Sequence, residues 1–485
     1  MKLSPEKKMD RAQACRLLPG LVSGLFSLLL FGWFLTYGTF RIWEAESFGN
    51  FYDEQAVSLL EGRLDVPPHC IGNEAFVYGG KTYGYFGLTP AILRLPFVVS
   101  GIGKNKLSRT FMLLYFSLAL LASVEVLRQA FKLADGPAAE PPGWSIACLL
   151  LASGPGSTFL LLGSRSFIFH EAILCGASFA LASTAFSLRW LRSPASANWV
   201  GAVGCGLMAV QGRPPSGLFA LTLAGLVAAR LLYQAFRGSG EAGCVRRPLV
   251  AGLLCIPCVL SFNTLSFLKF STWEGCPLRY ALQYPPERLE MVGHASFHLR
   301  NIPHNLDAYF TGVHVSPKAG FPFFETEHPD LTRGKTAFVE PGKPISIPIA
   351  MPALSLLSLA GALAIFHGPP GLRWASVLSW SAMLPMTLAL CAAIAVSQRY
   401  TADFIPFLVL ASSLGLANCD RGNGTGTALK TTFWTATIIS VCFSNLITLR
   451  YQGTREWGVP SEVPARYQAL QRKTDEWLGI RTSQE

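Results

Sequence analysis

Long apolar segments dominate this sequence and restrict what the chain can fold into. A helix needs about 20 mainly apolar residues to cross the hydrocarbon core of a bilayer. Only 14% of the residues are charged, whereas soluble domains carry about 25%. We therefore predict an all-α polytopic membrane protein with about eleven transmembrane helices. The predicted spans cover residues 19–40, 109–130, 144–162, 171–189, 196–212, 214–234, 248–268, 346–366, 374–396, 403–417 and 430–449.

The distribution of lysine and arginine predicts the orientation of these spans. With the N-terminus inside, the inner segments hold 16 basic and 6 acidic residues, and the outer segments hold 20 of each. Basic residues concentrate in cytoplasmic loops, so this orientation is favoured. The net charge of +11 is then a topology signal that requires no nucleic-acid partner. No small-residue cleavage site follows the first span, so we predict no removable signal peptide.

The predicted topology divides the chain into three parts. Residues 1–18 form a cytoplasmic segment, residues 19–449 a transmembrane domain, and residues 450–485 an extracytoplasmic tail with one interfacial helix. Two outer loops, 41–108 and 269–345, are too long to be simple connectors. Loops of this length are usually functional, and no internal repeat is found.

The first outer loop contains signals for local structure. "FYDEQAVSLLEGR" predicts a short amphipathic helix, and "EAFVYGGKTYGYFG" predicts a hairpin with Gly79 and Gly80 in its turn. "LTPAILRLPFVVSGIG" is apolar, but it is short and interrupted by prolines. We predict that it forms a surface or re-entrant helix rather than a span.

Polar residues that are far apart in the sequence converge on the outer face of the predicted topology. Individually, acidic residues at a helix start can complement the helix dipole, and arginines can extend to lipid headgroups. Together, charges near membrane depth are costly and tend to be functional. The group consists of Asp53, Glu54, His170, Glu171, Arg213, Arg279, Arg399, Tyr400 and Asp403.

The residue types in this group suit transfer from a lipid-linked phosphate donor. Arginine presents planar donors to phosphate oxygens, which predicts a donor-phosphate site at Arg399, Arg213, Tyr400 and Arg279. Asp403, one turn beyond Arg399, is predicted to orient it. A carboxylate can take the proton of an acceptor hydroxyl as that hydroxyl attacks a sugar carbon.

Several segments resemble the GT-C superfamily of integral-membrane glycosyltransferases that use polyprenyl-phosphate sugars. The similarity is to the bacterial branch related to protein mannosyltransferases and aminoarabinose transferases. It lies in "FYDEQAVSLLEGRLDVP", "YGYFGLTPAILRLPFVV" and "FIFHEAILCGASFALA". The resemblance implies that Asp53 is the catalytic base, with Glu54 beside it, and that Glu171 is a second catalytic acid. His170 is a supporting residue.

The resulting hypothesis is a multi-pass glycosyltransferase of the bacterial inner membrane, with its active site on the extracytoplasmic side. It would move a sugar from a polyprenyl-phosphate donor to a glycan, lipid or protein acceptor. Membrane lipids would surround the protein as further partners. We assign no cofactor, although Asp53, His170 and Glu171 would be the ligands of a divalent metal. The alternatives are a lipid or solute transporter or flippase, which predicts inverted repeats, and a non-catalytic GT-C-like scaffold.

The two outer-loop cysteines suggest one further hypothesis. Cys70 and Cys276 are the two cysteines of the predicted outer loops, and both loops are expected to cover the same cavity. An outer compartment can be oxidising, so the pair is a candidate disulfide.

Overall fold

The computed structural model describes residues 11–46, 48–238, 242–326, 338–339, 344–421, 426–453 and 459–480. The described chain is mainly helical, which confirms the predicted fold class. Eight of its helices are long and apolar enough to cross a membrane. The first ten residues of the predicted cytoplasmic segment lie outside the described residues.

The long helices follow the predicted spans. They are α1 (Arg11–Leu35), α4 (Ser108–Asp135), α7 (Ile168–Arg192), α8 (Ser196–Gly212), α9 (Pro214–Arg237), α10 (Ala242–Phe270), α14 (Pro352–His367), α15 (Pro370–Ala392), α16 (Ile405–Cys419) and α17 (Thr427–Gly453). A 3-10 turn, Gln398–Phe404, leads into α16.

Shorter elements occupy the loops and the tail. The short helices are α2 (Phe51–Leu60), α3 (Thr89–Val99), α5 (Gly143–Ser153), α6 (Thr158–Leu162), α11 (Pro286–Met291), α12 (Ile302–Leu306), α13 (Ile347–Ala350) and α18 (Glu462–Trp477). The strands are β1 (Phe76–Tyr78), β2 (Lys81–Tyr83), β3 (Val315–Pro317), β4 (Phe324–Thr326), β5 (Phe338–Val339) and β6 (Ala395–Val396). They pair as β1–β2 and β3–β4, both antiparallel, and as β5–β6, parallel.

Four of the eleven predicted spans are shorter or less regular than expected. The span predicted at 144–162 is interrupted between α5 and α6, where the sequence reads "SGPGS". Ser157 caps α6 by accepting a hydrogen bond from the backbone N–H of Phe159. Helices α8, α14 and α16 have 17, 16 and 15 residues, fewer than the about 20 of a typical span, although the preceding 3-10 turn lengthens the segment of α16 to 22 residues.

Burial separates the central helices from the peripheral ones. Helix α7 and the segment Gln398–Cys419 are largely buried, whereas the apolar windows of α10 and α17 are only 28% buried. Close approach of α14 to α16 requires glycine, because a Cβ on Gly361 would lie 2.0 Å from the Ala411 carbonyl oxygen. Small residues allow this kind of close helix packing in lipid.

The first outer loop has the predicted local structure and docks on the helices. Helix α2, the β1–β2 hairpin and the short apolar helix α3 lie where the sequence predicts them, with Gly79 and Gly80 at positive φ in the turn. The buried Lys269 at the end of α10 donates hydrogen bonds to the carbonyls of Gly84 (2.9 Å) and Phe86 (2.8 Å). Lys269 therefore fixes the backbone that carries the intervening Tyr85.

Helix α18 confirms that the tail contains one helix. It packs against α17, and its buried Asp475 accepts a hydrogen bond from the backbone N–H of Phe321 in the second outer loop at 2.8 Å. The tail is therefore tied to that loop. The orientation of the chain in the membrane and the boundaries of its three parts stay predictions.

Candidate active site

A cavity of about 1090 Å³ lies between the two outer loops and the helices beneath them. Its polar side chains come from loops and helix ends. Its apolar side chains come from the loops and from the helices, and those of the helices line the part of the cavity next to α9, α10 and α15. These apolar residues include Val210, Leu218, Val259, Phe262 and Leu390. The cavity is thus amphipathic.

Arginine and tyrosine dominate the polar part of the lining. Four guanidinium groups in one cavity form a strongly cationic surface that suits an anionic ligand. The arginines are Arg165, Arg213, Arg288 and Arg399, and the tyrosines are Tyr85, Tyr284, Tyr400 and Tyr451.

Arg213 is held in place by Asp403. The Arg213 Nε atom lies 3.2 Å from Asp403 Oδ2, and Ser216 donates a hydrogen bond to Asp403 Oδ1 at 2.6 Å. The Arg213 guanidinium also stacks on the Tyr400 ring, 4.8 Å from its centroid. The sequence analysis predicts that Asp403 orients Arg399, whereas the structure pairs the Asp403 carboxylate with Arg213.

The turn that carries Arg213 packs tightly against α7. Gly212 ends α8, Arg213 is extended, and Pro214 begins α9. A Cβ added to Gly176 of α7 would lie 2.3 Å from Arg213 Cβ. Glycine at 176 therefore lets the turn approach α7.

Arg399 lies beside Arg213 in the cavity lining. Its side chain is nearly buried, and its guanidinium stacks on the Phe169 ring at 4.4 Å. The 3-10 turn that carries it is anchored by Gln398, whose side-chain oxygen accepts a hydrogen bond from the Ile345 N–H at 2.6 Å. Arg399, Arg213 and Tyr400 thus meet in one cavity, as the sequence predicts.

Arg279, the fourth residue of the predicted donor-phosphate site, lies elsewhere. It is exposed, pairs with Glu274 at 2.8 Å and stacks on Tyr280. It does not line the cavity, so its predicted place in the donor site is not supported. The second outer loop instead brings Arg288 to the cavity.

The predicted acidic residues form a separate buried cluster around Arg94. Arg94 Nε lies 2.6 Å from Asp53 Oδ1, and Arg94 Nη2 lies 2.6 Å from Glu171 Oε1. Ser108 donates a hydrogen bond to Glu171 Oε2 at 2.8 Å. Burial raises the pKa of Asp53 although Arg94 opposes the shift. Burial works against the charge of Arg94, but the two carboxylates outweigh it and raise its pKa.

Aromatic rings lie between this cluster and the cavity. Tyr52 contacts the Arg94 guanidinium on one side and the Phe86 ring on the other, and Phe86 packs on Phe169, which lines the cavity. The rings link α2, the first outer loop and the start of α7. They place the Arg94 cluster behind the cavity wall.

The predicted catalytic and supporting residues are therefore not at the cavity. Asp53, Glu54 and Glu171 do not line it. Asp53 and Glu171 are buried against Arg94, which is at odds with proton transfer from an acceptor in the cavity. His170 is also buried, with Nδ1 3.1 Å from the Leu162 carbonyl oxygen.

Comparison with known proteins gives structural matches only. No protein-family model matches the sequence, and no curated protein matches it. The fold is similar to the oligosaccharyltransferase of Archaeoglobus fulgidus in its apo form. The sequence identity is 13% and the TM-score is 0.46, over 92% of this chain and 59% of that one.

Two further structures are similar at the same level. One is the A. fulgidus oligosaccharyltransferase AglB in complex with an inhibitory peptide and a dolichol-phosphate (12% identity, TM-score 0.46, 92% of this chain and 59% of that one). The other is ArnT from Cupriavidus metallidurans bound to undecaprenyl phosphate (12% identity, TM-score 0.43, 95% and 70%). The chain spans 59% of the length of the archaeal structures.

Four residues of the two sites were missed by the sequence analysis. Arg94 lies in the apolar segment "LTPAILRLPFVV", where a charge in need of a partner is itself a signal. Arg165 precedes α7 and donates a hydrogen bond to Tyr451 at 2.8 Å. Glu74 and Arg288 lie in the outer loops, where no motif or periodicity distinguishes them from solvated charges.

The structure also bears on the possible metal ligands and on the predicted disulfide. No group of three or more His, Cys, Asp and Glu side chains that could hold a metal is found within the described residues. Cys70 and Cys276 are both free thiols, and the Cys70 thiol donates a hydrogen bond to the Pro67 carbonyl at 2.9 Å. The disulfide hypothesis is therefore wrong for this structure.

Proposed function

We propose that the protein is a membrane glycosyltransferase that binds a polyprenyl-phosphate-linked sugar in the amphipathic cavity and transfers the sugar to an acceptor. The single observation that carries this proposal is the combination of four arginines with an apolar lining in one cavity of about 1090 Å³. A soluble anionic substrate would need the arginines but not the apolar surface.

The donor phosphate is proposed to lie between Arg213 and Arg399. The bond from Arg213 to Asp403 uses Nε, so its two Nη groups are the donors that a phosphate would take. Tyr400 stacks on Arg213 at 4.8 Å and contacts Arg399 at 5.5 Å. The rigid ring spaces the two guanidinium groups, which suits recognition of a phosphate by planar donors.

The polyprenyl chain is proposed to follow the apolar lining toward the bilayer. Val259 and Phe262 belong to α10, whose apolar window is mostly exposed at the surface of the protein. A lipid tail that leaves the cavity beside α10 stays in contact with hydrocarbon. The headgroup can then meet the arginines without leaving the membrane.

Donor binding by purified variants tests this arrangement. Arg399→Lys keeps the charge but loses the planar fork, and a hydrogen bond to a charged group is worth about 1.5–3 kcal/mol. We expect the dissociation constant for undecaprenyl-phosphate glucose to rise about 10- to 100-fold. Arg279→Lys is the matched control, because Arg279 is exposed outside the cavity. Native mass spectrometry in micelles measures binding, and a thermal melt checks folding.

The outcomes separate the proposal from its alternatives. Equal donor affinity in wild type, Arg399→Lys and Arg399→Ala would remove Arg399 from the donor site. Absence of donor binding by the wild type would contradict the proposed function. Donor binding without release of polyprenyl phosphate under any condition would favour a transporter or a non-catalytic scaffold.

A further inference from the structure

Glu74 is the single carboxylate among the described residues that line the cavity. Transfer to a hydroxyl acceptor requires a group that takes the hydroxyl proton, and the acids that the sequence predicted for this role are packed around Arg94. We infer that Glu74 is the base that deprotonates the acceptor, and that the acceptor hydroxyl binds on the side of the cavity formed by the first outer loop. This inference rests on the proposed function.

The backbone holds Glu74 at the junction of the two outer loops. Glu74 ends a 3-10 turn that begins at Gly72. Gly72 has φ +53°, and a Cβ there would lie 3.0 Å from a carbon of the Phe48 ring, so the turn requires glycine. The Ala75 carbonyl accepts a hydrogen bond from the Leu282 N–H of the second loop at 3.0 Å. The residue next to Glu74 is therefore fixed to the opposite wall.

The side chains around Glu74 belong to the same cavity. Burial raises the pKa of both Tyr284 and Cys276 to about 12, and the negative charge of Glu74 contributes to each shift. Glu74 thus lies within electrostatic range of two other lining residues. The Glu74 side chain is half-buried, so it is in contact with solvent as well as with the cavity, whereas Asp53 and Glu171 are buried.

The proposed step balances atoms and charge. The acceptor oxygen attacks the anomeric carbon of the donor sugar and forms the new glycosidic bond. The bond from that carbon to the phosphate oxygen breaks, and its electron pair stays on the departing polyprenyl phosphate, where Arg213 and Arg399 stabilise the added charge. The acceptor proton passes to the Glu74 carboxylate and then to water.

Glu74→Gln tests this role, because glutamine keeps the size of the side chain and cannot take a proton. Release of polyprenyl phosphate from undecaprenyl-phosphate glucose is followed, since this counts transfer to an added acceptor or to water. General-base assistance is worth about 10²–10⁴-fold. We expect the rate to fall by that factor while the donor dissociation constant stays within about twofold. The low-pH limb of the wild-type pH–rate profile should disappear with the carboxylate.

Two further variants distinguish the outcomes. Glu61→Gln changes an exposed acid of the same loop that pairs with Arg63, and it should retain the wild-type rate. Glu74→Asp should retain part of the rate, because it keeps a carboxylate. If the wild type releases no polyprenyl phosphate, the proposed function fails and the role of Glu74 fails with it. If the wild type is active and Glu74→Gln is within threefold of it, or loses donor affinity instead, only the inference about Glu74 is overturned.

Discussion

Replacement of Arg94 by methionine tests whether the buried cluster holds the outer half of the fold together. Arg94 is fully buried and lies 2.6 Å from a carboxylate oxygen of Asp53 and 2.6 Å from one of Glu171. Through these contacts it joins α3 to α2 and α7. Methionine fills much of the space of the arginine stem, but it leaves two buried carboxylates without their cation.

The size of the effect follows from burial. Removal of one partner from a buried ion pair costs about 3–5 kcal/mol, so Arg94→Met should raise the unfolding equilibrium constant by roughly 10²- to 10⁴-fold. The exposed pair between Arg279 and Glu274, with side chains 47% and 51% exposed, provides the matched control. Arg279→Met should cost about 1 kcal/mol or less.

The unfolding equilibrium constants of both variants are measured by titrating mixed micelles with SDS and following unfolding by circular dichroism. A third variant, Asp53→Asn/Arg94→Met/Glu171→Gln, removes all three charges, and it should recover much of the lost stability because neutral replacements of a buried ion cluster are often tolerated. If Arg94→Met were no less stable than Arg279→Met, the cluster would contribute nothing to the fold and the reasoning from burial would be refuted.

Asp53→Asn alone separates the structural role of this cluster from the catalytic role that the sequence predicts. A catalytic base would lose about 10²–10⁴-fold in turnover. A residue that only holds Arg94 would lower stability and leave the turnover of the folded protein near that of the wild type. The geometry favours the second result. A large loss of turnover in stable Asp53→Asn protein would restore Asp53 as the base.

Two further predictions concern pH and topology. Burial raises the pKa of Glu46 from its ordinary value of 4.5 to about 7, so the folded state binds more protons and the free energy of unfolding should fall as pH rises from about 4.5 to about 7. Glu46→Gln should remove up to about 3 kcal/mol of this fall in the free energy of unfolding. If the free energies of unfolding of variant and wild type changed in parallel over this pH range, the prediction would be contradicted. In a cysteine-free background, a membrane-impermeant maleimide should label Leu299→Cys in intact cells and Phe236→Cys only after permeabilisation, because these side chains, 81% and 71% exposed, lie on opposite predicted faces. The reverse pattern would invert the proposed orientation.

The helices could be predicted from sequence because lipid leaves few alternatives. A long apolar segment in a bilayer must satisfy its backbone hydrogen bonds internally and therefore becomes helical. The interruption between α5 and α6 was missed, although "SGPGS" contains residues that favour turns and caps. Hydropathy averaged over a window conceals such a break, because glycine and serine hardly change the mean.

The cationic part of the cavity could be predicted, whereas its detailed pairing could not. Topology alone brings the α8–α9 turn and the start of α16 to one face, so Arg213 and Arg399 were expected to be neighbours. Asp403 lies four residues from Arg399 in the chain, yet its carboxylate bonds Arg213. Sequence spacing gives the positions of backbone segments, but the partner of a buried side chain depends on how three helices pack.

The buried acids Asp53 and Glu171 show what a stricter physical criterion would have predicted for their surroundings. An ionised carboxylate at membrane depth requires a nearby cation, because burial alone costs several kcal/mol. Asp53 and Glu171 follow or begin apolar segments, so each needed a partner, and Arg94 was the charge in an apolar segment that itself needed one. The three charges therefore pair with one another, and none of them lines the cavity. A carboxylate that can act on a ligand in the cavity is then more readily sought in a half-buried loop position that lines the cavity, such as Glu74.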